Sequence, residues 1–445
     1  MPTNFPLGFQ EHIQDLPGIN TTSFLLAHEE KAPVSIRLNP EKLNSAFENE
    51  TKVAWCEHGR YLPSRPDFTL DPLFHTGAYY VQEASSMSIW SALTDLVPEK
   101  SNLRVLDLCA APGGKSTLIA SWLAGEGMLV ANEVIRSRAG ILHENLNRWG
   151  SANTIVSNND PRQFGKLEGY FDVIVIDAPC SGSGMFRKDP AAMSHWSEDA
   201  VTHCAARQER ILTDVWPALK EGGLLLYSTC SYSEAEDEQI SSFIKEELAA
   251  EICAIPSLEN HPEIVKTSMG YRFYPGQILG EGFYLSAIRK TAETENPYHK
   301  PAFRPQVIPN QIAHWMSNPD AFVYSETHLG SSVLPASLHE SIPPLLKHLH
   351  ILKCGILAGE MKGKDFLPSH EMALSTLLRN DIPQLELERE EALRYLKKEA
   401  LPGRSDIKGW HRMNFQGLGL GWGNVLPNRI NNALPKSWRI LKELE

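Results

Sequence analysis

Short apolar runs alternate with longer amphipathic stretches through the middle of the chain, and this alternation constrains the fold more than any other feature. Six apolar runs predict buried strands: RVLDL (104–108), MLVANE (128–133), NTIVSNND (153–160), FDVIVIDAP (171–179), LLLYSTC (224–230) and GFYLSAIRK (282–290). The stretches between them predict helices, the longest from residue 199 to Gly222 and Gly223. Because strands that alternate with helices form a parallel sheet covered on both faces, we expect an α/β, doubly wound domain.

The sequence LDLCAAPGGKST (106–117) joins the first predicted strand to its helix, where an open parallel sheet binds its ligand. It ends like a phosphate-binding P-loop, but Cys109 stands where the first glycine belongs and Pro112 removes a backbone amide. The G-x-G-x-x-G pattern of dinucleotide-binding domains is absent from this turn. S-adenosylmethionine carries no phosphate, so a tight turn at Gly113 and Gly114 is sufficient for it. A nucleotide triphosphatase that uses Lys115 remains the alternative.

Acidic residues end three successive predicted strands: Glu133 the second, Asp160 the third and Asp177 the fourth. In this fold, an acid at the end of the second strand binds ribose hydroxyls. Further carboxylates nearby suit the cationic sulfonium of S-adenosylmethionine. A single acid at a strand end is often only a helix N-cap. Three of them in register with the glycine turn favour a site for S-adenosylmethionine.

Two cysteines follow consecutive strands. Cys180 lies in DAPCSGSGMFRKDP after the fourth strand, and Cys230 lies in YSTCSYSEAEDE after the fifth. If these strands are neighbours, both thiols lie at the cofactor edge of the sheet. A thiol beside a methyl donor suits C5 of cytosine, which is a poor nucleophile until a thiolate adds to C6 and makes an enamine. The residues alone leave open which cysteine attacks.

The motifs DLCAAPGGKST, DAPCSGSGMFRKDP and YSTCSYSEAEDE together resemble those of the RNA (cytosine-5)-methyltransferases of the Sun/RsmF type. HTGAYYVQEASSM (75–87) is similar to the entry segment of that family, and GLGLGWGNVLPNRINNALPKSWR (417–439) to its C-terminal RNA-binding region. The resemblance implies a Rossmann-like domain with a mostly parallel, seven-stranded sheet and a small N-terminal α+β domain. It also implies C-terminal RNA-binding domains, the last of them a PUA-like β-barrel.

The resemblance further implies roles for single residues. Cys230 would be the nucleophile and Cys180 would assist product release. Asp177 would lie at the target cytosine and the cofactor, and Lys188 would line the active site. The implied cofactor-binding residues are Cys109, Ala110, Ala111, Pro112, Gly113, Gly114, Lys115, Glu133, Asp160 and Asp177. The implied reaction is methyl transfer from S-adenosylmethionine to C5 of a cytidine in 16S ribosomal RNA, free or in an assembling subunit. Transfer RNA is the alternative substrate, and a non-catalytic RNA-binding scaffold is the alternative of another class.

The net charge of −12 at first argues against a nucleic-acid partner, but the charge is unevenly distributed. Residues 401–445 hold seven basic and three acidic side chains, interleaved with Trp410, Trp422 and Trp438. Cations among aromatic rings suit phosphate contacts and base stacking, although the tryptophans could equally form a barrel core. The predicted RNA-binding residues are Arg412, Arg429, Lys436 and Arg439, together with Arg37 and Asn39, which could instead pack against the catalytic domain.

The predicted domains are residues 1–75, the catalytic domain 76–292, a linker at 293–308, a small α+β domain at 309–365 and the PUA-like domain at 366–445. Helices are also predicted after Ser233, with this residue as N-cap, and over residues 384–400. The chain shows no signal peptide and no apolar run of membrane-spanning length, so we expect a cytoplasmic protein, as a monomer. None of the seven cysteines forms a C-x-x-C pair, which argues against a metal site.

Overall fold

The computed structural model describes residues 5–42, 45–292, 306–362 and 365–443, so most of the predicted linker lies outside the described residues. The N-terminal part forms a four-stranded antiparallel sheet with the strand order β2-β3-β1-β4. Its elements are α1 (Phe9–Gln14), α2 (Thr21–Glu29), β1 (Val34–Leu38), β2 (Lys52–Val53), β3 (Cys56–Leu62), α3 (Pro72–Thr76) and β4 (Tyr79–Val81). Because β4 belongs to this sheet, the sheet continues past the predicted boundary at residue 75.

The central sheet contains all six strands that the apolar runs predict. Its strands up to residue 290 are β5 (Arg104–Asp107), β6 (Met128–Asn132), β7 (Thr154–Ser157), β8 (Phe171–Asp177), β9 (Leu219–Thr229), β10 (Ala250–Cys253), β11 (Val265–Lys266), β12 (Tyr271–Phe273) and β13 (Phe283–Lys290). Strands β7, β6, β5, β8 and β9 are parallel neighbours in that order, and β13 runs antiparallel beside β9. The strand order reverses between β5 and β8, which confirms the doubly wound α/β fold and places its ligand crevice there.

Helices cover both faces of this sheet. They are α4 (Ile89–Leu96), α5 (Gly114–Leu123), α6 (Arg136–Trp149), α7 (Pro161–Phe164), α8 (Glu198–Val215), α9 (Glu238–Glu247) and α10 (Pro256–Glu259). Successive strand residues point to opposite faces, so Val105 packs in one buried apolar cluster and Leu106 in the other. A sheet buried on both faces has continuous apolar strands, as the sequence shows.

Within the described residues, the C-terminal part adds a strand to the central sheet and forms three further sheets. Its elements are α11 (Asn310–Ala313), β14 (Phe322–Thr327), β15 (Gly330–Pro335), α12 (Ile342–His348), β16 (Ile351–Cys354), β17 (Ile356–Leu357), β18 (Gly359–Lys362), β19 (Asp365–Pro368), α13 (His370–Leu374), β20 (Gln384–Glu386), α14 (Arg389–Leu396), β21 (Leu401–Pro402), β22 (Gly409–Phe415), β23 (Leu418–Val425) and β24 (Arg429–Asn432). The last five strands form one sheet in the order β20-β22-β23-β24-β21. The boundary near residue 366 stays a prediction.

The central sheet has ten strands rather than the seven that the resemblance implies. The short strands β10, β11 and β12 extend it on the side of β13, and β16 pairs antiparallel with β7 at the other edge. Pairing with β16 satisfies backbone groups of β7 that would otherwise form an open edge.

Two helix predictions are too long. The helix predicted up to Gly223 ends at Val215, because Pro217 lacks the N–H that a helix interior needs, and β9 already begins at Leu219. The helix predicted over 384–400 divides into β20 and α14, since residues 384–386 pair with β22 instead.

Ser233 is not the N-cap of a helix. The helix after the fifth predicted strand begins only at Glu238, and the backbone N–H of Ser233 donates to the hydroxyl of Ser231 in the turns before it. The helix start predicted at Ser233 is therefore wrong by five residues.

Arg37 and Asn39 are buried, and the structure contradicts their predicted contact with RNA. The guanidinium of Arg37 donates to Thr117 Oγ1 at 2.6 Å and to Gln82 Oε1 at 2.9 Å. The Asn39 amide donates to the carbonyl of Trp149 at 3.1 Å. Through these contacts the N-terminal sheet packs against α5 and α6. The alternative prediction, that Arg37 and Asn39 pack against the catalytic domain, is therefore correct.

Candidate active site

The two cysteine loops meet at the carboxyl edge of the sheet. Because β8 and β9 are parallel neighbours in register, with Asp177 opposite Ser228, the residues that follow each strand lie side by side. Cys180 Sγ and Cys230 Sγ are 3.1 Å apart, within hydrogen-bond distance for sulfur. This confirms the predicted juxtaposition.

The surroundings of Cys180 keep its thiol neutral. The hydrogen bond with Cys230 and burial raise the pKa of Cys180 well above its ordinary value, and the carboxylates of Glu236 and Asp177 act in the same direction. Cys180 is therefore held as a neutral thiol that can donate its hydrogen to Cys230 Sγ.

Lys115 and Asp177 form an ion pair beside the cysteines. Lys115 Nζ lies 2.8 Å from Asp177 Oδ2 and 5.2 Å from the centre of the Phe283 ring. Burial lowers the pKa of Lys115, but Asp177 and the further anionic neighbours together outweigh burial, and the net pKa is raised. The lysine of the P-loop-like sequence thus pairs with a protein carboxylate at the position where a P-loop lysine would contact phosphates.

The glycine-rich turn begins α5 with Gly113 in the left-handed region, at a φ of +118°. A side chain is strained at this angle, which explains the glycine. Beneath the turn, Ser116 Oγ donates to Asp107 Oδ2 at 2.6 Å, and burial raises the pKa of Asp107 to about 7. The turn is therefore fixed to the end of β5.

One cavity at this edge has the chemistry that S-adenosylmethionine needs. Its lining includes the predicted residues Cys109, Ala111, Glu133, Asp160 and Asp177, together with both cysteines. The buried Glu133 carboxylate and the half-exposed Asp160 carboxylate can accept hydrogen bonds from hydroxyls, and Ile135, Pro161 and Ile211 supply apolar surface for a base. The lining therefore fits this cofactor.

The helix N-cap alternative holds for Asp160 but not for Glu133. Asp160 is the N-cap of α7, and its Oδ1 accepts from the N–H of Arg162. Glu133 Oε1 accepts from the N–H of Ile135, which precedes α6. Both side chains line the cavity. Arg138, Arg207 and Arg210 line the same cavity and are not predicted from the sequence, because no motif marks them.

A second cavity lies on the other side of the glycine-rich turn. It is lined by the remaining turn residues Ala110, Pro112, Gly114 and Lys115, by Lys188 as predicted, and by Tyr80, Gln82, Met185 and Phe283, among others. Tyr80 and Gln82 come from the segment HTGAYYVQEASSM. Gly113 lines neither cavity. Cys109, Ala111, Asp177 and Cys230 line both cavities, so two ligands could meet at the Cys230 thiol.

The predicted RNA-binding residues of the C-terminal part fall into two groups. Arg429, Lys436 and Arg439 are exposed. Arg412 donates through Nε to the carbonyl of Ala373 at 2.8 Å, and burial lowers its pKa to about 10, so it packs the sheet rather than facing solvent. Trp422 is buried, which supports the core alternative for this ring.

No helix in the described part of the chain combines the length and apolar character that a membrane span requires. Within the same ranges, no group of three or more His, Cys, Asp or Glu side chains is arranged to hold a metal ion.

Family models match three segments of the chain. Residues 93–289 match the 16S rRNA methyltransferase RsmB/F, residues 5–84 the N-terminal domain of 16S rRNA methyltransferase RsmF, and residues 382–440 the methyltransferase RsmF PUA domain. The ribosomal RNA small subunit methyltransferase F of Vibrio parahaemolyticus is 31% identical, with 97% of each chain covered. The protein of the same name from Pectobacterium carotovorum is 30% identical, over 98% of this chain and 96% of that one.

Solved structures resemble the central part of the chain. A methyltransferase homolog protein from Pyrococcus horikoshii is 28% identical with a TM-score of 0.53, over 63% of this chain and 94% of that one. NSun6 from Pyrococcus horikoshii is 20% identical with a TM-score of 0.55, over 66% of this chain and all of that one, a likeness of fold.

Proposed function

Because this chain belongs to the RsmB/F family of 16S rRNA methyltransferases, we propose that it methylates C5 of a cytidine in 16S ribosomal RNA. One observation carries the choice of chemistry. Two thiols lie 3.1 Å apart where the two cavities meet, so that a base in one cavity and a methyl donor in the other would both reach Cys230.

We assign S-adenosylmethionine to the first cavity, with Glu133 and Asp160 as acceptors for its hydroxyls. This cofactor supplies an activated methyl group from its sulfonium. The Asp177 carboxylate lies between the two cavities and is oriented by Lys115. Asp177 would therefore contact both the cofactor and the exocyclic amino group of the cytosine.

Cys230 acts as the nucleophile. Its sulfur lies 3.1 Å from the Cys180 sulfur and lines the same cavity as Lys115, and as a thiolate it adds to C6 of the cytosine. The new S–C6 bond makes C5 nucleophilic, and C5 would form a bond to the methyl carbon while the bond between that carbon and the sulfonium sulfur breaks, so that the demethylated cofactor would leave as a neutral thioether. C5 then loses its proton to water in the cavity, the S–C6 bond breaks, and Cys230 leaves as a thiolate.

Cys180 assists the last step. As a neutral thiol, it donates a hydrogen bond to the sulfur of Cys230 while negative charge develops there, which favours cleavage of the S–C6 bond. Lys188 is exposed at the mouth of the second cavity and would contact the RNA backbone next to the target nucleotide.

A groove of the protein beside the second cavity could hold the RNA that flanks the cytidine. This groove lies between the N-terminal sheet and the catalytic domain and is lined by Lys31, Arg65 and Lys188, among others. It shares Lys188 and Gln82 with the second cavity. Cations along a groove that leads to the base would hold a single strand by its phosphates. We propose the cytoplasm, where small subunits assemble, as the place of this reaction.

The test uses the purified chain with radiolabelled S-adenosylmethionine and 16S rRNA, transfer RNA and isolated small subunits as separate substrates. We expect label in 16S rRNA or the subunit, and bisulfite sequencing that locates one 5-methylcytidine in the product. Labelling of transfer RNA alone would favour the alternative substrate. Tight ATP binding without S-adenosylmethionine binding in calorimetry would favour a triphosphatase and contradict the proposal.

A further inference from the structure

Glu236 is a buried acid that neither cavity includes and that the proposed chemistry does not use. It lies in YSTCSYSEAEDE, in the turns between Cys230 and α9, and its side chain is fully buried. A buried carboxylate is costly unless hydrogen bonds compensate for the loss of water, so its partners show what it does.

Two partners of Glu236 directly follow the two cysteines: Ser181 follows Cys180, and Ser231 follows Cys230. Oε1 accepts from the backbone N–H of Ser181 at 2.7 Å, and Oε2 accepts from the Ser181 hydroxyl at 2.5 Å. Oε2 also accepts from the Ser231 hydroxyl at 2.6 Å. One carboxylate thus joins the loop after β8 to the loop after β9.

Gln208 of α8 adds a second connection. Its Nε2 donates to the carbonyl of Pro179 at 3.0 Å and to Glu236 Oε1 at 3.4 Å. The Tyr227 hydroxyl lies 2.6 Å from the carbonyl of Glu236, to which it donates, and 3.0 Å from Gln208 Oε1. The residues before and after Cys180 are therefore both fixed relative to Glu236.

We infer, on the basis of the proposed function, that Glu236 is a positioning residue that keeps Cys180 Sγ against Cys230 Sγ, so that product release follows methyl transfer. The backbone N–H of Ser181 is adjacent to Cys180, and a shift of this loop moves the Cys180 thiol directly. A displacement of about 1 Å at a catalytic group can cost about 100-fold in rate.

Glu236→Ala tests the role, and Glu236→Gln separates shape from charge. In the glutamine variant, the amide oxygen can still accept from the N–H of Ser181, and the amide nitrogen can donate to the two serine hydroxyls, which also accept. Glu234→Ala is the matched control, because Glu234 is an exposed acid of the same turn.

Each full-length variant is assayed with 16S rRNA and radiolabelled S-adenosylmethionine for kcat, KM for RNA and the fraction of protein in a covalent RNA complex on a denaturing gel. For Glu236→Ala we expect kcat to fall about 10- to 100-fold while KM stays within about twofold, because chemistry rather than binding is affected. The covalent complex should accumulate. Glu236→Gln should recover kcat to within about threefold of the parent, since its hydrogen bonds are largely kept. Glu234→Ala should match the parent.

If Glu236→Ala does not fold, Ser181→Ala removes one hydroxyl donor to the carboxylate and should give a smaller rise in the covalent complex. Normal turnover without accumulated complex in Glu236→Ala, or in Ser181→Ala where that variant replaces it, would overturn the inference. Equal losses in Glu236→Ala and Glu236→Gln would also overturn it, since charge rather than position would then matter. A parent chain that transfers no methyl group would contradict the proposed function itself.

Discussion

The catalytic edge of the central sheet and the RNA-facing surfaces differ in how their functional groups are held. At the edge, the Cys180 thiol contacts the Cys230 thiol, Lys115 pairs with Asp177, and all four side chains are partly buried. In the C-terminal part, Arg429 and Arg439 are exposed. Buried groups fixed on neighbouring strands suit bond making, whereas exposed cations suit contacts with a phosphate backbone. Single substitutions should therefore abolish activity at the edge and only weaken binding at the surfaces.

The largest effect is expected for Cys230→Ala at the edge. We expect methyl transfer to fall more than about 1000-fold, because the thiol forms the covalent bond to C6. Calorimetry should show S-adenosylmethionine bound within about twofold of the parent affinity, since Cys230 contributes only one side of the cofactor cavity. Substantial methyl transfer by the Cys230→Ala protein would exclude Cys230 as the nucleophile.

Glu133→Ala should weaken the binding of S-adenosylmethionine rather than slow methyl transfer. The lost hydrogen bonds to hydroxyls should raise the dissociation constant of S-adenosylmethionine about 10- to 100-fold, with a smaller effect on kcat at saturation. Glu126→Ala is the matched control, because Glu126 is an exposed acid in the turn before β6. An unchanged dissociation constant for Glu133→Ala would remove this residue from the cofactor site.

A double substitution in the groove should have the smallest effect. For Lys31→Ala with Arg65→Ala we expect KM for 16S rRNA to rise about tenfold with kcat unchanged, and the salt dependence of binding to fall by about 0.7 in slope for each lost phosphate contact. Lys245→Ala, an exposed cation of α9, serves as the control. Equal salt slopes for the groove and control variants would show that RNA does not follow this groove.

The same difference explains what could be predicted from the sequence. The strands and the glycine turn follow from local pattern. The topology of the sheet predicts that the strand-end residues come together, and the structure places four of them around one cavity: Glu133, Asp160, Cys180 and Cys230. The cations of the groove could not be predicted, because Lys31 and Arg65 come together only through tertiary packing.

Arg37 and Glu236 show the limit of motif-based interpretation. A buried arginine and an exposed one look alike in sequence, and only the contacts of Arg37 with Thr117 and Gln82 reveal its structural role. Glu236 is one of four acids in YSTCSYSEAEDE, yet it is fully buried between the cysteine loops. Burial of a charged residue depends on distant segments, which no local pattern encodes.

In the proposed reaction, Cys230 is the nucleophile and Cys180 assists product release, and one measurement tests this assignment most directly. Cys180→Ala and Cys180→Ala with Cys230→Ala are each incubated with 16S rRNA and S-adenosylmethionine and run on a denaturing gel. We expect a retarded, nuclease-sensitive protein–RNA band for Cys180→Ala, because release fails, and none for the double variant, because no S–C6 bond forms. Normal turnover by Cys180→Ala without a retarded band, or a band in the double variant, would contradict the assignment.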